Sequence, residues 1–189
     1  MILYRLLLFL FISCMLSCKE QEIKKNQISI NNQILSLTTQ KTKEQFLEGL
    51  FDSDQAARNS GVELEILKRN NYDQKSEEYQ DYIRKMIKTD SINFLKSKKY
   101  LEVYGHPNTK DFSSKASYAV KTICLHQTYK KQLELFPYMY EGYTKGYLTN
   151  ESFSFLLNRL HINKYGTSYP QAINDEENIK QLLEKLKLN

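Results

Sequence analysis

Between Thr42 and Leu188 apolar residues return every three or four positions, the spacing that lines one face of an α-helix. Phe46, Leu47, Leu50 and Phe51 begin the pattern, and no helix breaker interrupts it before Gly61. Val62, Leu64, Ile66 and Leu67 form a second apolar group, ended by Asn70-Asn71. Residues 77–103 predict one long helix or two abutting ones, with Tyr79, Ile83, Met86 and Ile87, then Ile92, Leu95, Tyr100 and Val103, facing inward. Gly105-His106-Pro107 stops that run, as Gly and Pro do at a helix end. A pattern this persistent leaves little room for sheet, and the expected fold is an all-α, single-domain bundle of about six helices.

The later elements follow by the same reasoning. Phe112, Ala116, Ala119, Val120, Ile123 and Gln127 share one side of a helix from about Ser113 to Lys130. Its small alanines would admit a close neighbour, so this helix is expected at the centre. Pro137 is expected in the first turn of the next helix, where its missing N–H costs little. Asn150 and Asp175 are expected to cap the last two helices. Ile162 to Tyr169, around Gly166, reads as an extended loop or short strand.

The N-terminus carries an address rather than a fold. Arg5 is its only charge before Lys19, and Leu6 to Ile12 is unbroken apolar sequence. The run is short for a membrane span of about 20 residues but fits the roughly 7–15-residue apolar part of a secretory signal. Ser17-Cys18 at its end resembles the bacterial lipobox, in which the thiol is diacylated and the chain is cut before it. The usual Leu three places earlier is Met15 here, and Cys14 is a second candidate. The expected organisation is a signal peptide over 1–17, a polar tether over 18–40 and a helical domain over 41–189. Acyl chains on Cys18 would anchor the domain to a membrane of the cell envelope, the outer membrane by expectation, on its periplasmic or surface face. Within the tether, Ile28, Ile30, Leu35 and Leu37 alternate around Asn31-Asn32, which suggests a small hairpin or a disordered segment.

With Cys18 acylated, Cys124 has no disulfide partner, so a core must hold the domain together. The net charge of +5 comes from lysines scattered among glutamates. A nucleic-acid binder shows a basic stripe or face, and none is present; the partners expected are the membrane and a small ligand or envelope protein. The sequence contains no nucleophile elbow, phosphate loop or dinucleotide fingerprint, and nothing in it calls for a cofactor. His106, His126 and His161 lack metal-ligand spacing. On a helix Cys124 and His126 would point about 200° apart, and Cys124 reads as a small buried hydrophobe. Phe136, Tyr140, Tyr143 and Tyr147 form one helical stripe, expected in the core.

Several short motifs together resemble an uncharacterised bacterial family, domain of unknown function 6624, from about Phe46 to Leu188. They are Asp54-Gln55 with Arg58, Asp90 with Asn93 on a helix running to Gly105 and Pro107, His126, Arg159, and Tyr165-Gly166-Thr167. This chain carries Asn158 and Leu125 where that family usually has Asp and Gln. The resemblance brings no established activity; it marks these residues as a candidate polar site.

Physically, Asp54, Gln55 and Arg58 span one helical turn, and Asp90 and Asn93 share a face. His126 could act as a general base. Arg58 and Arg159 could clamp a carboxylate or phosphate. Thr167 could present a hydroxyl from a tight loop. The same residues could instead be internal tie-points that fix helix register. A non-catalytic binding or envelope-assembly domain is therefore the expectation, with a hydrolase using His126 and Asp54 or Asp90 as the alternative.

Overall fold

The computed structural model describes residues 25–170 and 175–188. The leader and its cysteines fall outside them. The chain divides into a first unit ending at Ser36 and a second beginning at Leu37.

In the first unit residues 25–35 form a helix, α1, in place of either the hairpin or the disordered segment that the sequence suggests. Its covered positions, Ile30 and Ile34, lie one helical turn apart, whereas Ile28 and Leu35 of the alternating set are exposed. Period two and period four overlap in so short a segment.

Among its described residues the second unit holds seven helices, α2 Gln40–Ala57, α3 Ser60–Arg69, α4 Glu77–Tyr104, α5 Ser114–Leu125, α6 Tyr129–Thr144, α7 Asn150–Tyr165 and α8 Glu176–Leu186. There is no strand among the described residues, and the all-α bundle stands. Local capping chemistry sets most of the boundaries. Thr39 and Thr42 bond each other's backbone in a capping box at α2, and Ser113 and Asp175 accept from the first-turn amides of α5 and α8.

α5 is central, packing against α2, α4, α6 and α7. Ala116, Ala119, Val120 and Ile123 on it are fully buried. Around it, Leu47 and Leu50 of α2, Tyr100 and Leu101 of α4, Leu135 and Met139 of α6, and Phe153, Leu156, Leu157 and Leu160 of α7 close the core. Of the aromatic stripe expected in the core, Phe136 is buried and Tyr143 stacks on buried Phe153 at 4.2 Å between ring centres, whereas Tyr140 is 40% exposed and Tyr147 lies beyond the end of α6. Cys124 is buried, and its apolar surroundings push the thiol up to about 12.

Five sequence expectations need correction. α5 ends at Leu125, not near Lys130, and Pro137 lies in the interior of α6, because that helix already starts at Tyr129. Thr149 rather than Asn150 caps α7, its side chain accepting from the Ser152 N–H. α7 continues through Ile162 to Tyr165, so no strand forms there. It stops at Gly166, whose φ of +79° closes the helix in the left-handed conformation that glycine adopts without strain. On α4, finally, Ile87, Ile92, Leu95 and Val103 face solvent, while the inner face holds Asn93, Phe94, Ser97, Tyr100 and Leu101. Two polar residues on that inner face disguised it.

Candidate functional site

The widely spaced Asp54, Arg58, Asp90 and His126 meet in the folded chain. Asp54 sits in the last turn of α2 and is 1% exposed. Its Oδ1 accepts from Arg58 Nη1 at 2.9 Å and from His126 Nδ1 at 2.9 Å, and its Oδ2 accepts from Gln55 Nε2 at 3.0 Å. Arg58, the residue that ends α2, extends its other terminal nitrogen to Asp90 Oδ1 on α4 at 2.6 Å. Three donors thus satisfy the buried carboxylate, as a charge in such a place requires. The arrangement ties α2, α4 and the end of α5 to one another. Arg58 is bound between two carboxylates, so it cannot clamp a ligand anion.

His126 occupies the C-cap of α5, with backbone angles of −91° and 0°. A carboxylate can only accept, so Nδ1 carries a proton, and in the neutral ring Nε2 is then the nitrogen with a lone pair. No hydrogen bond from Nε2 to a described residue is present, and the side chain is 24% exposed. The ring therefore has one nitrogen fixed to a buried acid and the other unengaged.

What places His126 there is the satisfaction of the α5 C-terminus. A helix end leaves carbonyls without intrahelical donors. Here Gln127 Nε2 donates to Ile123 O, Gln132 Nε2 to Cys124 O and Arg159 Nε to Leu125 O. Asn163 of α7 then donates to Gln127 O and to Gln132 Oε1. This amide network, buried at Gln127 and Gln132 and exposed at Asn163, fixes the α5–α6 turn against α7.

Alongside lies a cavity of about 230 Å³ lined by Leu125, His126, Phe155, Asn158, Arg159 and Ile162. Four of these sit on α7 at steps of three, one and three, a stripe on the side away from its buried Phe153, Leu156, Leu157 and Leu160. Phe155 is 60% exposed. Arg159 uses only Nε on Leu125, and its terminal nitrogens bond no described residue. Asn158 is held by accepting from the Tyr169 N–H at 2.8 Å.

The remaining expected site residues go elsewhere. Asn93 is buried on α4, and its Nδ2 lacks a partner. Tyr165 donates to Lys185 O and Lys164 to Leu186 O, so this pair caps the C-terminus of α8. Gly166 terminates α7, and Thr167 offers its backbone carbonyl to His161 Nδ1 at 2.8 Å. Tyr165-Gly166-Thr167 is thus a helix-ending and docking element, not part of the cluster, because the left-handed turn at Gly166 carries the chain away. Sequence reasoning missed Phe155, Asn158 and Ile162. The available signal was the second three-and-four stripe on α7, hidden because its members are chemically mixed.

Among the described residues no group of His, Cys, Asp and Glu could hold a metal ion, and no helix is long and apolar enough to cross a membrane. No protein-family model, curated protein or solved structure matches this chain.

Proposed function

We propose that the chain is a lipid-anchored envelope protein whose helical domain binds a small organic acid with an apolar chain in the cavity beside His126. The observation that carries the ligand reading is the meeting of unengaged Arg159 terminal nitrogens with Leu125, Phe155 and Ile162 around one cavity, beside His126. Guanidinium nitrogens pair with carboxylate oxygens two at a time, and the aromatic and aliphatic walls favour a hydrocarbon chain. At about 230 Å³ the cavity is smaller than the roughly 300–1,000 Å³ pockets that take drug-sized molecules, so the occupant is small. The polar network behind it supports a site whose shape exists before ligand arrives.

Calorimetric titration of the full chain with hexanoate tests the ligand reading. Hexanoate should bind the wild type and fail to bind Arg159→Ala; equal heats from the two proteins would remove Arg159 from the reading. The anchor rests on the leader sequence ending at Ser17-Cys18. Cys18→Ala should abolish incorporation of labelled palmitate and release the chain from membranes. Unchanged labelling would point to Cys14, and no labelling of the wild type would discard the anchor.

A further inference from the structure

We infer that the same cavity hydrolyses carboxylic esters, with His126 as the general base; this rests on the organic-acid reading, since the acid would be the product. A base needs a fixed tautomer and an open second nitrogen, and the Asp54 carboxylate at 2.9 Å from Nδ1 provides the first while the cavity provides the second. Asp54 does not stand alone. Arg58 and Gln55 hold it from two further directions, and Arg58 is itself braced by Asp90. A tie-point between helices requires neither an unengaged Nε2 nor an adjacent cavity containing a second cation.

In the reaction, water bonded to His126 Nε2 attacks the ester carbonyl carbon and gives its proton to that nitrogen. The carbonyl π pair moves onto oxygen, beside the Arg159 guanidinium, which stabilises the new negative charge. When the oxyanion collapses, the bond from carbon to the alkoxy oxygen breaks, and His126 returns the proton to the departing alkoxide. The products are an alcohol and a carboxylic acid, which leaves as its carboxylate, and the imidazole ends as it began. The acyl chain lies against Phe155 and Ile162. No side-chain nucleophile enters, in keeping with the absence of Ser, Thr or Cys among the residues lining the cavity. Arg159 and His126 touch the reacting atoms in this scheme; Asp54, Arg58 and Gln55 are positioning residues.

The test is hydrolysis of para-nitrophenyl hexanoate by the purified full chain, with hexanoate binding measured in parallel. Wild type should turn over the ester, and His126→Ala should lower kcat by about 10²–10⁴-fold, the range of a positioned base. Asp54→Asn should lower kcat with KM little changed, whereas Arg159→Ala should affect both. His126→Gln, which retains bulk and a polar end, should be equally inactive while keeping the wild-type melting transition, so that loss of fold cannot imitate loss of the base. Wild-type turnover equal to that of both His126 variants overturns hydrolysis. Hexanoate binding without turnover overturns hydrolysis and leaves the binding reading standing; neither binding nor turnover overturns both.

Discussion

His126 and His106 each follow the end of a helix, yet their surroundings make them opposites. His126 gives its Nδ1 proton to a buried carboxylate and keeps the rest of its ring beside a cavity. His106 gives its Nδ1 proton to the neighbouring Pro107 carbonyl at 3.0 Å and is only 6% exposed. Its Nε2 is buried without a hydrogen-bond partner among the described residues. The ring is pressed against α6 at Gly142, where a Cβ would lie 2.6 Å from the imidazole Cγ. Burial pushes His106 down to about 4, a stronger influence than the opposing Pro107 carbonyl and Glu141, and Lys121 pushes the same way as burial. His106 also borders a cavity, of about 240 Å³, but its ring is buried and held neutral, whereas His126 is oriented by an acid and partly exposed at its own cavity.

The largest expected effect concerns the braced side of that contrast. Arg58→Ala would leave Asp54 and Asp90 without their shared cation, and should destabilise the domain by about 3–5 kcal/mol, as removal of one partner of a buried pair does. Urea unfolding measures it. A loss below about 1 kcal/mol would mean that the cluster behaves as a surface ion pair.

Next comes acidity. In the unfolded chain a histidine titrates at its ordinary value of 6.5, whereas folded His106 resists protonation down to about 4. Between those values the unfolded state binds the extra proton, so stability falls as pH falls through this window, by at most about 3 kcal/mol. Carboxylates titrate nearby, so the quantity to measure is the difference in pH slope between wild type and His106→Gln. Identical slopes would contradict a sealed neutral imidazole.

Smaller effects sharpen the comparison. Gly142→Ala should cost about 1–3 kcal/mol by overpacking the His106 ring, readable as a lowered melting temperature. At the other histidine the cavity wall is exposed, so Phe155→Ala should change stability by no more than about 0.5 kcal/mol while weakening hexanoate binding. Stability loss at Phe155 matching that at Gly142 would make the α7 stripe part of the core.

The sequence disclosed the bundle well because helix formation leaves a local record. Period, caps and breakers marked where most helices of the second unit lie, though not every boundary between them, and the alanines of α5 identified its central place. Errors arose where that record was ambiguous, as in α1 and the inner face of α4, where Asn93 and Ser97 replace hydrophobes. The candidate site was legible in part. Asp54, Arg58, Asp90 and His126 are marked by the resemblance of their short motifs to an uncharacterised family, and the fold brings them together. That Arg58 is occupied, that Arg159 faces His126's cavity, and that Tyr165 serves α8 depend on which helices become neighbours. Spacing along the chain carries no such information.

The central proposal is that, of the three histidines, His126 alone engages a ligand, although His106 also borders a cavity. Imidazole proton and nitrogen resonances of the full chain, followed while hexanoate is added, test it directly. The account predicts that His126 shifts and saturates while His106 and His161 stay in place. An unmoved His126, or parallel shifts at all three rings, would contradict it.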